Sequence, residues 1–191
     1  MSQEFQQDQV FEKIDYTQQT FPKGEYDNCT FVDCKFEGVY MDAISFLECT
    51  FDTCDMTNAK VKNASFNEVD FLNCKLLGVD FSKCTDFLFS VTFQDCRLEL
   101  ASFAELKIKQ TTFRTSNLRE ADFTGTNLEN SVFDDCDLTA AIFENTNLGK
   151  ADFSSAYNYN IDPTVNQIKK AKFSRSEIHG LLYKYDIKIT S

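Results

Sequence analysis

"ADFTGTNLENSVFDDCDLTAAIFENTNLGKADF", residues 121–153, carries Phe or Leu at every fifth position: Phe123, Leu128, Phe133, Leu138, Phe143, Leu148 and Phe153. An amphipathic helix repeats apolar residues at i, i+3, i+4 and i+7, and a half-buried strand alternates them. A strict five fits neither. The same spacing extends outward, through Phe11, Tyr16, Phe21, Tyr26 and Phe31 to Phe81, and again from Phe93 through Leu98, Phe103, Ile108, Phe113 and Leu118. Two residues before each of these centres stands a mostly small residue, as in Ala121-Asp-Phe123 and Thr126-Asn-Leu128. The other three positions are mostly Asp, Asn, Glu, Lys, Thr or Ser. Two inward and three outward positions per five describe a chain that turns a corner every five residues. Four fives then close a square turn of twenty, stacked on the next at ~4.8 Å. Phe113, Phe133 and Phe153 would form one internal ladder, and Leu118 and Leu138 another.

The chain has 191 residues, 42% of them hydrophobic, enough for one domain with its own core. No run approaches the ~18 apolar residues of a membrane span, and the polar start "MSQEFQQDQV" lacks the order of a secretory signal. These features predict a cytoplasmic protein without membrane contact. A net charge of −11 disfavours nucleic acid as a partner, since affinity for phosphates comes from Lys and Arg.

All eight cysteines (Cys29, Cys34, Cys49, Cys54, Cys74, Cys84, Cys96 and Cys136) fall two before a centre, in the small inward slot. Their C-x₄-C spacing follows from the fivefold repeat, so they are read as core thiols rather than a metal site or disulfides. No cofactor is expected. Nor is an enzyme: there is one histidine, no glycine-rich phosphate loop, and the carboxylates point outward where nothing shifts their pKa.

The register slips once, in "CTDFLFSV" at 84–91, where Phe81 to Phe93 spans two residues more than two fives. Phe87, Leu88 and Phe89 there make either a packed joint or an exposed docking point. Near the C-terminus, Ala171-Lys-Phe173 restores the motif after a segment interrupted by Pro163, as one loosened last coil. Ser174 with Glu177 reads as a capping box, and Ile178, Leu181, Leu182 and Tyr185 follow at helical spacing. Ile187 and Ile189 alternate like a short strand. The expected organisation is therefore an N-terminal cap (1–10), a first stack (11–83), a joint (84–91), a second stack (92–173), and a helix and strand (174–191). That last segment is read as capping the stack and pairing two copies.

With small residue, Asp or Asn, then Leu or Phe recurring over residues 11–156, the chain resembles the pentapeptide-repeat family. The resemblance implies an all-β solenoid, a right-handed quadrilateral β-helix. The order "NIDPTVNQIKKAKF", short apolar helix, terminal strand resembles the branch of the quinolone-resistance (Qnr-type), McbG and MfpA proteins. Asp162, Pro163 and Asn166 carry the likeness to McbG. Gram-negative Qnr proteins have loop inserts, whereas this register shows only the two-residue slip.

Residues 1–156 hold 27 acids against 13 bases, a net −14, while residues 157–191 carry +3. The face centred on Phe11, Phe31 and their successors is the most acidic, with Asp33, Asp52, Asp70, Asp95, Asp134, Asp135 and Asp152 outward. Spread over a rod of about 40 Å, the −14 is about one charge per 3 Å, somewhat sparser than the one per ~1.7 Å of duplex DNA. The branch resemblance implies a dimeric DNA mimic that binds DNA gyrase or topoisomerase IV. The alternative is a scaffold with an unrelated protein partner.

Overall fold

The computed structural model describes residues 4–188 and 190. Its strands are short and evenly spaced. In chain order they are β1 (Glu4–Gln7), β2 (Val10–Glu12), β3 (Gly24–Asp27), β4 (Thr30–Val32), β5 (Ser45–Leu47), β6 (Thr50–Asp52), β7 (Ser65–Asn67) and β8 (Val69–Leu72). There follow β9 (Val91–Gln94), β10 (Thr112–Arg114), β11 (Val132–Asp134), β12 (Asp152–Phe153) and β13 (Lys172–Phe173). Each pairs in parallel with a strand about twenty residues away, as in Phe31↔Phe51 and Phe113↔Phe133. Two other ladders consist of isolated parallel bridges, one running Asp15↔Lys35↔Asp55↔Lys75 and the other Ser102↔Asp122↔Ile142. The coil is therefore four-sided, an all-β solenoid. We number its faces by their first centres: Phe11, Tyr16, Phe21 and Tyr26.

Corners turn because the second residue after most centres adopts the left-handed backbone, with φ of 51° at Asp33, 54° at Asn73 and 54° at Asp95. Asn and Asp tolerate that region better than other side chains, which is why the outward positions are rich in them. Inside, the first face stacks its phenylalanines from Phe11 to Phe173 at centroid spacings of 4.6 to 5.4 Å. Leu98, Leu118, Leu138 and Leu148 are fully buried.

Three features differ from the sequence-based expectation. Residues 4–10, expected as part of a cap, already belong to the coil: β1 pairs with β3, and β2 with β4. Nor does the slip divide the rod into two stacks. Phe71 pairs with Phe93 across it and the rings stack at 5.2 Å, so the first face is one nine-stranded sheet from β2 to β13. The extra residues are absorbed on the fourth face.

The third difference is the C-terminal segment. Ile178–Leu181 and Tyr183–Tyr185 are short 3₁₀ turns rather than a capping α-helix. Their backbone amides donate to the carbonyl three residues back, as Leu182 N–H does to His179 O at 2.9 Å, and further contacts tie the turns to the last coil. Glu177 accepts from the Asn158 backbone N–H at 3.0 Å, so its carboxylate does not close the capping box. The Gly180 carbonyl accepts from Ile161 N–H at 3.0 Å. A Cβ at Gly180 would lie 2.0 Å from the Tyr159 carbonyl oxygen, so only glycine permits this approach. Ile187 lies in no strand, and Ile189 is outside the described residues. No helix among the described residues is long and apolar enough to cross a membrane.

Candidate protein-binding surface

The acidic candidates all lie on the first face but in three different columns. Asp70 and Asp152 precede a centre, Asp52 and Asp134 follow one, and Asp33, Asp95 and Asp135 occupy corners with φ of 51°, 54° and 52°. Those three corner carboxylates thus also serve the turn.

Their charges are not equally available. Lys172 lies 2.7 Å from Asp152, and this contact holds the carboxyl below its ordinary range. Arg114 lies 3.4 Å from Asp134, which also accepts from Ser155 Oγ at 2.9 Å. Asp52 accepts from Thr53 Oγ1 at 2.9 Å and Asn73 Nδ2 at 3.2 Å, and Asp70 accepts from the Thr92 hydroxyl. Neutral donors leave the charge in place. The track of net negative potential is therefore Asp33, Asp52, Asp70, Asp95 and Asp135, weighted toward the first two-thirds of the rod. Its C-terminal end is tempered by β13, whose lysine the sequence reading did not assign to this face.

The adjoining second face is a ladder of compensated charge. Lys35 sits 3.4 Å from Asp15, Lys75 3.2 Å from Asp55, and Arg119 3.5 Å from Asp137. This leaves the first face as the strongly one-signed side. A second charged region, missed by sequence reasoning that summed each face along its whole length, lies on the fourth face: Lys107, Lys109, Lys150, Lys169 and Lys170 cluster on its C-terminal half. Taking the sum by halves would have found it.

At the slip, the three candidate residues part company. Phe89 turns inward, 7% exposed, with its ring edge-on to Phe66 and Phe81 at 6.0 and 6.1 Å. Phe87 and Leu88 project, 74% and 60% exposed. At the C-terminal end of the rod, Ile178, Tyr185 and Ile187 are exposed, while Leu181 and Leu182 are half-buried and Leu181 packs on the core.

The thiols are all free and buried. Each points into the coil, and most donate to the carbonyl of a centre residue in the preceding turn, as Cys74 Sγ does to Phe51 O at 3.3 Å. Burial pushes Cys96 and Cys136 up to about 12, so they stay protonated. Among the described residues, no group of three or more His, Cys, Asp or Glu is arranged to hold a metal.

Comparison with known proteins agrees with this geometry. The family model for the pentapeptide repeat region matches residues 25–103, 44–123 and 87–182. No curated protein sequence matches the chain. Among solved structures, a trypsin-treated variant of QnrB1, a plasmid-mediated fluoroquinolone resistance protein, superposes with a TM-score of 0.77. It shares 15% identity, over 98% of this chain and 92% of that one. Full-length QnrB1 gives 0.64 at 15% identity, over 96% and 100%. HetL, involved in heterocyst differentiation regulation in Nostoc sp. strain PCC 7120, gives 0.62 at 13% identity, over 89% and 86%. Identities this low establish a shared fold.

Proposed function

This chain belongs to the pentapeptide-repeat family, and on that premise we propose that it is a non-enzymatic DNA mimic. It binds the basic DNA-binding surface of a type II topoisomerase, DNA gyrase or topoisomerase IV, and protects or inhibits that enzyme in the cytoplasm. The observation that carries the proposal is the one-signed first face: five carboxylates that, among the described residues, form no ion pair, along one nine-stranded sheet. Rungs ~4.8 Å apart place Asp33 and Asp95 about 14 Å apart, and Asp95 and Asp135 about 10 Å apart. A groove that tracks DNA phosphates along a rod meets a row of like negative charges here, about one per 5 Å and sparser than the phosphates of duplex DNA. The fold shared with a fluoroquinolone resistance protein supports the choice of partner. End-to-end pairing of two copies through the exposed Ile178, Tyr185 and Ile187 belongs to the same reading and would double the track.

The test is supercoiling by purified gyrase, with and without ciprofloxacin, while the protein is titrated in. Asp33, Asp52, Asp70, Asp95 and Asp135 are changed to Asn in a comparison variant, because Asn removes charge and still accepts the corner backbone. Inhibition or drug rescue should weaken tenfold or more in the variant, and also as salt rises. An effect on gyrase indifferent to both would sink mimicry, and no effect at all would sink the partner. HetL shares the fold with a different described role. The second reading, a scaffold for an unrelated protein, rests on exposed Phe87 and Leu88. Capture of a partner that survives the Asn variant and is lost with those two residues would favour it.

A further inference from the structure

The fourth face is polar along its length. It carries nine rungs, centred on Gln6, Tyr26, Phe46, Phe66, the joint at 84–90, Ile108, Leu128, Leu148 and Ile168. The rungs before the joint expose Asp8, Glu25, Asp27, Glu48 and Glu68, with no lysine or arginine among them. Those after it expose Lys107, Lys109, Lys150, Lys169 and Lys170 against a single acid, Glu129. Exposed Phe87 and Leu88 stand on the fifth rung, midway between the halves.

We infer that this face is self-complementary and pairs with a second copy of the chain, side by side and antiparallel, about a two-fold axis through the joint. Rung one of each copy then meets rung nine of the other, setting Asp8 against Lys169 and Lys170. Rung two sets Glu25 and Asp27 against Lys150, and rung four sets Glu68 against Lys107 and Lys109. The third rung meets its own sign, Glu48 against Glu129, and the joint sets Asp86 against Asp86, each already held by its own Lys107 at 3.5 Å. Glu129 is already held by Lys109 at 2.9 Å and Lys150 at 3.3 Å, so little net repulsion arises there. Among the described residues, no ion pair within the chain engages Asp8, Glu25, Asp27, Glu48, Glu68, Lys169 or Lys170.

The centre supplies what charge alone does not. Exposed ion pairs contribute little each and are screened by salt, whereas a buried apolar anchor at the middle of an interface dominates its energy. A two-fold axis brings Phe87 and Leu88 of both copies together at that middle, the arrangement a closed isologous contact requires. The charged flanks then fix the antiparallel direction, since parallel pairing sets acid on acid and base on base. A two-fold perpendicular to the rod and lying in the interface also leaves both first faces on one side. The pair would present two acidic tracks in one plane.

Cross-linking and charge exchange test the pairing in the full-length chain carrying Ile178→Glu and Ile187→Glu, which removes any end-to-end contact. All native thiols are buried, so Leu88→Cys introduces the one accessible thiol. At low salt it should form an 88–88 disulfide dimer on mild oxidation, several-fold faster than Lys188→Cys in the same background. Two charge variants read direction. Glu25→Lys/Glu68→Lys and Lys107→Glu/Lys150→Glu should each sediment as monomers alone and form a heterodimer when mixed. Absence of the disulfide together with monomeric sedimentation of the parent overturns the inference. So does a dimer that either charge variant leaves intact. Gyrase inhibition by a monomeric protein would leave the proposed function standing while this pairing fell.

Discussion

A stack of coils leaves carbonyls facing inward, and a Cys, Ser or Thr side chain two before a centre can bond one of them. Cys54 donates to Phe31 O at 3.3 Å, Thr126 Oγ1 to Phe103 O at 2.9 Å and Thr146 Oγ1 to Phe123 O at 2.8 Å. The slot wants a side chain that is small and, best, a donor. Cys74→Ala should therefore cost about 1 kcal/mol, the worth of a modest hydrogen bond and a small cavity. Cys74→Leu should cost more, about 1–3 kcal/mol, because Cys74 is fully buried and a larger side chain must displace its neighbours. Urea unfolding of the two variants measures both. The same burial predicts that a maleimide at pH 8 leaves the native thiols unmodified and labels all eight on unfolding, as mass spectrometry would show. At the corners, Asp95→Asn should leave stability unchanged, whereas Asp95→Val should lose about 1–2 kcal/mol against the left-handed backbone.

At the scale of the element, the last coil shows how a regular repeat is ended. Asn166 fills a small inward slot. Its Nδ2 donates to Phe143 O at 2.8 Å and Asp162 O at 3.0 Å, while its Oδ1 accepts from Thr146 N–H at 2.9 Å. One amide side chain thus ties the Pro163 segment to the coil before it. The 3₁₀ turns then dock through Gly180, and Gly180→Ala should release them without unfolding the rod. Faster hydrogen exchange at Ile161, whose amide bonds the Gly180 carbonyl, with the rod's own exchange unchanged, would be the sign. β13 is held to β12 partly by charge. Because the Asp152 pKa is lowered from 3.8, its contribution is fully present above that value and is lost as pH falls through the folded value. Asp152→Asn should therefore reduce the fall in stability below about pH 4, measured by acid titration of unfolding.

The whole molecule is close to one-dimensional: each coil touches only its neighbours, so length is a free variable. Deleting residues 113–132, one full turn of twenty, joins Thr112 to Phe133 in the original register. The shortened chain should fold and scatter X-rays as a rod about 5 Å shorter. Deleting fifteen should fail, because every later centre would move to the wrong face.

The fivefold period by itself determined the coil, the four faces, the inward cysteines and the acidic side, because each follows from counting along the chain. Phe113 over Phe133 and Asp33 on the outside need no further knowledge than register. What counting cannot reach is a choice between residues of one type, or between partners far apart in sequence. Phe89 turns in while Phe87 and Leu88 turn out, although all three are apolar neighbours, because only Phe89 finds the ring edges of Phe66 and Phe81. Ser174 and Glu177 spell a capping box, yet Glu177 bonds the Asn158 amide of the last coil, and a helix gives way to 3₁₀ turns. Asp134 and Asp152 share a face with Asp33, but their charge is compensated by Arg114 and Lys172 one rung away. Local pattern sets the backbone where neighbours repeat; tertiary contact decides wherever the repeat is broken or a side chain reaches across a rung.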